Sequence, residues 1–587
     1  MNDLSKERSM LSAIWFFVKA NWMTYSIVSL GLLISYGLFV VPTQMTQKVI
    51  NQISQGTLTQ ESLLWSVFIV LLAGIVTYIA DLIWVRLLFG KASRYRFELR
   101  RGLFNKLIHM RTPFYEKFRS GDMLTRFTND TNDYSELLGF GVMSIFSALG
   151  TIFFVLPAMV LISWQITLLA SLPILILGII VYWISTKQEI ASEESREAVA
   201  NLSNEVLEVI EGIRVTRAYG KKDLGARRFQ KKTEQLVLKN DKIMFYQSAY
   251  GRLALTFLGL STALVVGFGG YYMSIGSLQL GDVVALQLYA IMLMDPMWVL
   301  SDMVLVYQIG KVAYDKLTEL MNSTDDMEKD GQLQADALER ITFRDYSFAY
   351  AGSDLPTLKN INLTLEKGQT LGIVGKTGSG KTTLVRQLLR QYPIGTGQYL
   401  VNGRPITQFM RQSLEDKLGY VPQEHILFSR SVADNIRFGQ PEAKAVKVMN
   451  AVEAAVFAED VTRMSQGLET MVGEKGVSIS GGQKQRISIA RALIKEPELL
   501  ILDDSLSAVD AKTERKIIEN IQQLRQGKTN VIVTHRLSAV NHADWVIVLE
   551  NGQVVEEGRP ADLLAQGGWY FEQYQRQQSE ETIEGGA

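Results

Sequence analysis

The sequence predicts two joined parts: an α-helical membrane domain with six spanning helices, and after it a soluble α/β domain. Long apolar stretches with almost no charge recur before Tyr307, whereas the chain after Ile341 reads as soluble α/β protein. Averages over the whole chain conceal this contrast. A hydrophobic content of 47% and a formal net charge of +0 are also ordinary for soluble proteins.

Six segments are long and apolar enough to cross a bilayer, which takes about 20 mostly apolar residues per helix. The alternative is a set of buried helices in a soluble protein, but the length and number of the segments argue against it. The segments are Trp22–Val41, Leu63–Leu88, Leu137–Ile162, Ile166–Ser185, Leu253–Met273 and Val283–Tyr307.

Lysine and arginine are distributed unevenly between the connections, and this sets the expected orientation. The three short connections on one side carry one basic residue, Lys48, whereas the two long connections, 91–136 and 187–251, are rich in Lys and Arg. We therefore expect both termini in the cytoplasm and the protein in a cell membrane, such as a bacterial inner membrane or a plasma membrane.

The two long connections have helical composition and contain little Pro or Gly. A structureless loop of that length is improbable, so we expect the spanning helices to continue into the cytoplasm. Pro and Gly interrupt the pattern at 111–122 and 211–220. We expect these two tips to contact a cytoplasmic domain, although plain helical turns are the alternative.

Composition excludes some functions. The chain has no cysteine, which rules out disulfides, thiolate catalysis and cysteine metal sites. No strongly basic domain stands out, which argues against a nucleic-acid partner.

A phosphate-binding loop follows the strand-like segment 370–374 and opens a helical segment. The pattern G-x-x-x-x-G-K-[ST] predicts that backbone N–H groups surround phosphates, that Lys381 faces the β- and γ-phosphates, and that the Thr382 hydroxyl binds Mg²⁺. The expected ATP-binding residues here are Gly375, Lys376, Thr377, Gly378, Ser379, Gly380, Lys381, Thr382 and Thr383.

Two further motifs lie downstream. The apolar strand 499–503 ends in Asp503, a carboxylate suited to Mg²⁺. Small residues at 480–483 precede a helical segment and form a second candidate phosphate cradle, although an ordinary loop before a helix would also fit.

The order of these motifs, with Gln423 in YVPQ, ISGGQ, LLILDD, SAVD and a His after an apolar strand, resembles an ATP-binding cassette (ABC) domain. The membrane part is similar to the exporter branch of ABC transporters, in which a half-transporter fuses both domains in one chain. The resemblance covers nearly the whole chain and implies ATP and Mg²⁺ as cofactors.

The resemblance also implies roles for single residues. Tyr350 would stack on adenine, Gln423 would sense Mg²⁺, and His535 would be the histidine of the H-loop. Ser480, Gly481, Gly482 and Gln483 would hold the γ-phosphate of ATP bound to the opposite subunit. Asp510 would end the D-loop, and the segment 472–476 resembles the exporter X-loop.

One position departs from the family pattern. The residue after Asp503 is Asp504, where the family normally has Glu as base or water-positioning group. A carboxylate one methylene shorter would retreat from its target, and a misplacement of about 1 Å can cost about 100-fold in rate. The ISGGQ segment at 479–483 is a nearly intact ABC signature motif. The combination of Asp504 with this signature resembles the degenerate-site subunit of bacterial heterodimeric multidrug exporters. The alternative is that Asp504 functions adequately.

The substrate path has two candidate residues in the sixth segment. Ionisable groups inside a span are functional candidates, and adaptable Met side chains suit permissive binding. Asp295 and Met292 fall on roughly one helical face, so Asp295 could attract cationic amphiphiles. Alternatively, Pro296 bends the helix and Asp295 pairs locally. Asp81 in the second segment is a weaker candidate.

The sequence thus predicts a transmembrane domain at 1–321, a linker at 322–338, an ABC domain at 339–575 and a flexible tail at 576–587. The expected function is ATP-driven export of hydrophobic or cationic drugs by a heterodimer with a second half-transporter, a small amphiphilic molecule being the substrate. Lipid or peptide export, or a mainly regulatory ATP-binding subunit, are the alternatives.

The orientation can be tested by cysteine labelling, because the chain has no native cysteine. Ser277→Cys and Gln165→Cys should react with an impermeant thiol reagent added outside intact cells. Arg217→Cys should react only after the membrane is permeabilised. Labelling of Arg217→Cys from outside would reverse the orientation inferred from the basic residues.

Overall fold

The computed structural model describes residues 9–353, 355–473, 479–506 and 509–585. The chain divides into two compact units, and each is described by itself. The first contains Met1–His109 and Phe118–Ser323, and the second contains Met110–Lys117 and Thr324–Ala587.

The first unit is helical in its described residues. Two single π-helical segments, Arg126–Asp130 and Leu137–Gly141, are inserted in its third long helical run. The α-helices are α1 (Met10–Ala20), α2 (Trp22–Phe39), α3 (Val41–Ser54), α4 (Gln60–His109), α6 (Ser120–Thr125), α7 (Thr131–Glu136), α8 (Val142–Ile162), α9 (Trp164–Glu211), α10 (Ile213–Ala218), α11 (Lys222–Ser274), α12 (Leu280–Met292) and α13 (Asp295–Asn322).

Within the described residues, five helical runs are long and apolar enough to cross a membrane, and they contain the first five predicted segments. Helices α9 and α11 have 48 and 53 residues, far more than the about 20 that a bilayer requires. The spanning helices therefore do continue beyond their apolar parts. The five runs are Trp22–Ser54, Gln60–His109, Ser120–Ile162, Trp164–Glu211 and Lys222–Ser274.

The sixth predicted segment, Val283–Tyr307, consists of two helices, α12 and α13, interrupted at Leu293 and Met294. Pro296 is the second residue of α13. Proline has no backbone N–H and cannot continue the hydrogen-bond ladder of the preceding helix. The bend expected from Pro296 is thus present as a helix break, and the fold remains compatible with six spanning passes.

Polar side chains join helices inside this unit. The carboxylate Oδ1 of Asp81 on α4 accepts hydrogen bonds of 2.7 Å from Ser35 of α2 and from the Trp84 indole. Ser261 of α11 donates to the carbonyl of Ala170 on α9 at 2.9 Å. Such bonds stabilise helix pairs where water is scarce. Asp81 is therefore engaged in helix packing.

The start of α12 is fixed against α3 by a compact polar cluster. Asp282 Oδ1 accepts hydrogen bonds from Gln47 at 2.8 Å and from Asn51 at 2.9 Å. The N–H of Gly281 donates to Asn51 Oδ1 at 2.7 Å. A Cβ on Gly281 would lie 2.3 Å from the carbonyl oxygen of Gln47, so the close approach of the two helices requires glycine here.

The second unit contains two sheets. An antiparallel sheet has the order β2-β1-β4-β5, and a mostly parallel sheet has the order β10-β9-β3-β8-β7-β6, with β10 antiparallel at its edge. The strands are β1 (Arg340–Phe348), β2 (Leu358–Glu366), β3 (Thr370–Val374), β4 (Thr396–Val401), β5 (Arg404–Pro405), β6 (Leu418–Val421), β7 (Leu499–Asp503), β8 (Thr529–Val533), β9 (Trp545–Glu550) and β10 (Gln553–Gly558).

The parallel sheet positions the candidate site. Strands β3, β8 and β7 are neighbours, and every residue of β7 and β8 is buried. Ligands of such sheets bind beyond the carboxyl ends of the strands. The helices of this unit are α5 (Thr112–Lys117), α14 (Lys381–Leu388), α15 (Arg411–Glu415), α16 (Val432–Arg437), α17 (Ala445–Ala454), α18 (Ala458–Arg463), α19 (Gly481–Leu493), α20 (Ala511–Leu524), α21 (Pro560–Gln566) and α22 (Trp569–Gly585).

The unit boundaries differ in detail from the predicted domains. The short segment Met110–Lys117, part of the first predicted tip, belongs to the second unit, and the second unit otherwise starts at Thr324. The segment predicted as a linker follows the end of α13 at Asn322. Helix α22 includes most of the segment predicted as a flexible tail, 576–587.

Gly281→Ala should destabilise the first unit, because overpacking of a tight contact costs about 1–3 kcal/mol. The matched control is Gly270→Ala, where a Cβ would meet no atom within 4 Å. Thermal unfolding of the detergent-purified protein should show a lower midpoint for Gly281→Ala and no decrease for Gly270→Ala. Equal midpoints would contradict the close approach of α3 and α12.

Candidate nucleotide-binding site

The loop between β3 and α14 has the backbone geometry of a phosphate cradle. Gly375, Gly378 and Gly380 have φ of 146°, 82° and 104°. These are values that glycine adopts without the strain of a Cβ. A Cβ on Gly375 would also lie 2.2 Å from the carbonyl oxygen of Leu549. The loop therefore needs these glycines, and it leads directly into the N-terminus of α14, where unpaired N–H groups favour anions.

Lys381 is folded over this loop. Its Nζ donates to the carbonyl oxygens of Gly375 at 2.7 Å and Lys376 at 2.9 Å. Burial lowers the pKa of Lys381, while the carboxylates of Asp504 and Asp503 act in the opposite direction. The ammonium group is thus held at the mouth of the loop, where phosphate oxygens could replace the two carbonyls.

Asp503 ends β7 as a fully buried carboxylate. Its Oδ1 lies 3.5 Å from the hydroxyl of Thr382, and its Oδ2 lies 3.5 Å from the hydroxyl of Tyr420. Burial, together with the neighbouring charge of Asp504, raises the pKa of Asp503 to about 6. A divalent cation would reverse this shift because it stabilises the ionised form.

The donor set fits Mg²⁺. A hydroxyl and a carboxylate converge at Thr382 and Asp503, and Mg²⁺ in nucleotide sites takes one or two protein ligands, substrate phosphates and water. Across the described residues no group of three or more His, Cys, Asp or Glu could hold a metal by itself. A Mg²⁺ ion held by Thr382 and Asp503 would take its remaining ligands from phosphate oxygens and water.

Asp504 and His535 form a pair beside Asp503. The Nδ1 of His535 lies 2.8 Å from Asp504 Oδ1. This hydrogen bond raises the pKa of His535, which favours the charged imidazolium. Asp504 has a left-handed backbone with φ of 46°, and its N–H donates to the carbonyl of Val533 at 2.8 Å. The start of its side chain is therefore fixed by neighbouring backbone.

A single cavity of about 330 Å³ collects these groups, and exposed Gln423 also lines it. The structure thus brings together the predicted loop, both carboxylates, Gln423 and His535. The lining residues are Thr357, Thr377, Gly378, Ser379, Gly380, Lys381, Thr382, Thr383, Gln423, Asp503, Asp504, Val533 and His535.

Tyr350 lies next to this cavity without lining it. Its hydroxyl is 3.1 Å from the Thr383 hydroxyl and accepts from Arg386 at 3.3 Å. Its ring packs edge-on against Phe348 and Tyr392, with centroids 5.1 and 5.0 Å away. The tyrosine is therefore joined to the first turns of α14.

The predicted signature residues lie elsewhere. Ser480 caps α19, because its hydroxyl accepts from the Gln483 N–H at 3.3 Å and the Gln483 side chain accepts from the Ser480 N–H at 3.0 Å. The Gln483 amide also donates to Asp460 at 3.0 Å. Residues Ser480–Gln483 do not line the cavity described above. The predicted X-loop extends beyond the described residues, which stop at Gly473 and resume at Ile479.

Asp510 is the cap of α20. Its carboxylate accepts from the Thr513 N–H at 3.0 Å and from the Thr513 hydroxyl at 2.8 Å. These bonds lower the pKa of Asp510. Residues 507 and 508 of the predicted SAVD motif are outside the described part of the chain.

In the first unit, Asp295 is exposed at the start of α13 and Met292 is half-buried at the end of α12. Among the residues that the structure describes, Asp295 forms no hydrogen bond or ion pair. A local partner for Asp295 is thus not seen among the side chains that the structure describes. Met292 packs against a core that includes Leu293 and Met294.

Sequence reasoning missed Tyr420, Arg386 and Tyr392. Tyr420 is the first letter of YVPQ and contacts Asp503. Arg386 lies in α14, which follows the phosphate-binding loop, and Tyr392 comes shortly after that helix. Both contact Tyr350. An aromatic or basic residue near a motif is too common to signal such a contact without the fold.

Comparisons with known proteins cover both units. The family model described as ABC transporter matches residues 358–507, and that described as ABC transporter transmembrane region matches 26–297. The chain is 41% identical over 584 residues to the probable multidrug resistance ABC transporter ATP-binding/permease protein YheI of Bacillus subtilis, covering 99% of both chains. It is 32% identical over 572 residues to the multidrug resistance-like ATP-binding protein MdlA of Escherichia coli, covering 97% of each.

A solved structure supports the fold. The bacterial Atm1-family ABC exporter with ATP bound matches with a TM-score of 0.78 and 23% sequence identity, over 95% of this chain and 98% of that one. With the phosphate-binding loop, the buried Asp503 and the apolar helices all present, these matches show that the chain belongs to the ABC transporter family, as a half-transporter that fuses a membrane domain to a transport-coupled ATPase domain.

Proposed function

We propose that this chain is one subunit of a heterodimeric exporter that moves hydrophobic or cationic drugs out of the cytoplasm. The observation that calls for a second half-transporter is the position of Ser480–Gln483 outside the chain's own nucleotide cavity, and Asp504 in place of the family's Glu is what favours a partner of different sequence. A site that needs both a phosphate-binding loop and a signature is then completed by a second half-transporter. The names of the relatives, which describe multidrug resistance, support the substrate class.

The residues of the cavity would bind MgATP in named roles. Lys381 would exchange its two carbonyl partners for phosphate oxygens, at little cost because one set of charge-assisted hydrogen bonds replaces another. Thr382 and Asp503 would hold Mg²⁺, with Gln423 nearby. The metal supplies charge that neutralises the phosphates during transfer. Tyr350 would offer its ring to the adenine.

Asp504 is the residue that makes the two sites of the assembly unequal in this proposal. The carboxylate is bonded to His535, and the left-handed backbone at Asp504 fixes where its short side chain begins. A general base has to come within about 2.6–3.2 Å of the atom that carries the proton it takes. We infer that Asp504 positions water poorly, while Ser480–Gln483 serve a competent site on the partner.

Asp295 supports a cationic substrate. It is exposed and, in the described part of the chain, unpaired at the break between α12 and α13. A carboxylate at membrane depth is costly unless it has a partner, and a cationic drug would supply one.

Asp504→Glu should raise the steady-state ATPase rate of the transporter assembled with its partner by about twofold, because the longer side chain recovers about 1 Å of reach and gives the assembly a second competent site. Asp504→Asn should lower the rate less than twofold. Asp503→Asn is the control and should weaken binding of MgATP to this chain's own cavity, because it removes the carboxylate that would hold Mg²⁺. Steady-state hydrolysis decides, and a severe loss in Asp504→Asn would show that this site is catalytically competent.

Asp295→Asn should reduce transport of a cationic drug at least fivefold more than transport of a neutral drug of similar size, because it removes an uncompensated negative charge. Asp295→Glu keeps the charge and should retain transport of the cation. Uptake into inverted vesicles measures both substrates. Equal losses for both drugs would assign Asp295 to the helix break alone.

A further inference from the structure

Two arginines of the second unit are buried next to the segment that the sequence predicted as a linker. Arg390, which comes after the end of α14, is 4% exposed, and Arg411, the first residue of α15, is 8% exposed. Arg390 has a left-handed backbone with φ of 49°, at a place after a helix end where glycine is usual. A long charged residue is thus held, in an unfavourable backbone conformation, inside the domain.

Neighbouring protein groups satisfy only part of the donors of these two guanidiniums. Nη1 of Arg390 donates to the carbonyl of Ile406 at 3.2 Å, and Nη2 of Arg411 donates to the carbonyl of Glu328. Among the residues that the structure describes, Nε and Nη2 of Arg390 and Nε of Arg411 have no hydrogen-bond partner. A buried charged donor without an acceptor is costly, so these nitrogens favour an added acceptor.

The nearby carboxylates do not supply that acceptor. Oε2 of Glu328 lies 4.0 Å from Arg390 Nη2 and 3.9 Å from Arg411 Nη2, and both distances exceed that of a hydrogen bond. Asp330 is exposed and accepts from the backbone N–H of Arg411 at 2.9 Å. Burial, and then the like charge of Arg411, lower the pKa of Arg390, whereas Glu328 acts in the opposite direction. Because arginine stays charged in proteins, a further negative charge would stabilise the pair.

A small cavity is lined by both arginines. Its volume is about 20 Å³, which is room for one water-sized ligand. Most of its other walls are apolar, among them Leu338 and Val401. The polar residues Glu415 and Tyr399 also line it, but the Glu415 carboxylate pairs with Arg111 and the Tyr399 hydroxyl donates to a backbone carbonyl at 3.1 Å. The cavity therefore combines positive charge, unused donors and a volume that excludes polyatomic anions such as phosphate.

We propose that this cavity binds one halide ion, chloride in the cell, against the guanidiniums of Arg390 and Arg411. A halide is an acceptor without a proton of its own, so each of the unused N–H groups can donate to it. Its single atom fits the volume of one water, and its negative charge offsets two buried positive charges. The site lies in the second unit alone and is independent of ATP and of the transported substrate.

The ion would stabilise the attachment of the predicted linker to the ABC domain. Arg411 bonds the linker at the carbonyl of Glu328. Just before Arg411, the chain pairs with the linker residue Leu333, whose N–H donates to the carbonyl of Gln408 at 2.9 Å and whose carbonyl accepts from the Met410 N–H at 2.7 Å. An anion that binds the folded arrangement and not the open one shifts the equilibrium toward the attached linker.

Bromide is the direct probe, because it resembles chloride and scatters X-rays anomalously. Crystals of the full-length transporter are soaked in sodium bromide, and anomalous difference maps are calculated near its absorption edge. One peak should lie in contact with the guanidiniums of both Arg390 and Arg411. Bromide peaks elsewhere with none at this place would overturn the proposal. Glu328 bonded directly to both guanidiniums would also overturn it, because the protein would then supply the acceptor itself.

Hydrogen exchange tests the site in solution. Peptides covering 328–335 are compared in about 100 mM sodium chloride and in sodium gluconate of equal ionic strength, gluconate being too large for the cavity. Exchange of wild type should be at least about threefold slower in chloride. Arg390→Gln should exchange equally in both salts. Val401→Ile, which keeps both arginines and fills the cavity with a methyl group, should also lose the difference.

The matched control is Arg525→Gln. Arg525 is likewise 4% exposed in the second unit, but its guanidinium donates to the Asn530 side chain at 2.6 Å and to the carbonyls of Pro497 and Thr529 at 2.8 Å. This variant should exchange faster in both salts and keep the chloride effect. Equal exchange of wild type in both salts, or a chloride effect that persists in Arg390→Gln or disappears in Arg525→Gln, would contradict a halide site at Arg390 and Arg411.

Discussion

The buried carboxylate of Asp503 is the constraint around which the second unit is organised. An ionised carboxylate out of contact with water is costly unless it is paired, hydrogen-bonded or metal-bound. In the described part of the chain its carboxylate lies 3.5 Å from two hydroxyls, and burial together with the charge of Asp504 raises its pKa to about 6. A cation held at this carboxylate would stabilise its ionised form.

The same position explains why the surrounding motifs are where they are. Strands β3, β8 and β7 run parallel as neighbours, so the segments that follow them emerge at one edge of the sheet. The phosphate-binding loop follows β3, Asp503 ends β7 and Asp504 comes directly after it, and His535 follows β8. Three segments far apart in sequence converge because the carboxyl ends of neighbouring parallel strands lie at the same edge of the sheet.

The motifs that meet at this edge of the sheet are the part of the site that could be predicted from the sequence. The glycine spacing, the apolar strand before Asp503 and the long apolar runs each reflect a local rule, so both domains and the loop at Gly375–Thr382 were recognisable. The described helices confirm five of the six predicted segments as continuous runs, and Pro296 divides the sixth. Local rules are enough where the chemistry is local.

The contacts of α5 were not predictable in the same way. Glu116 and Tyr392 are separated by 276 residues, and Arg111 and Glu415 by 304. No periodicity links such residues, and an acidic linker reads as solvated chain by composition alone. Asp325, Asp326 and Glu328 instead each find a partner within the second unit. The charge pattern of the segment predicts that its acidic side chains are solvated. Which basic or backbone groups they pair with depends on the fold.

The role proposed for Ser480 depends on whether its capping bonds leave it free to act on a phosphate. Its hydroxyl oxygen accepts from the Gln483 N–H, and a hydroxyl that accepts one bond still has its own proton to donate. Gln483 is held by Ser480 and Asp460, so it orients the start of α19. The cap therefore fixes the serine without consuming its donor. A phosphate on a partner chain would meet this hydroxyl and the N-terminus of a 13-residue helix together, both arranged before it arrives.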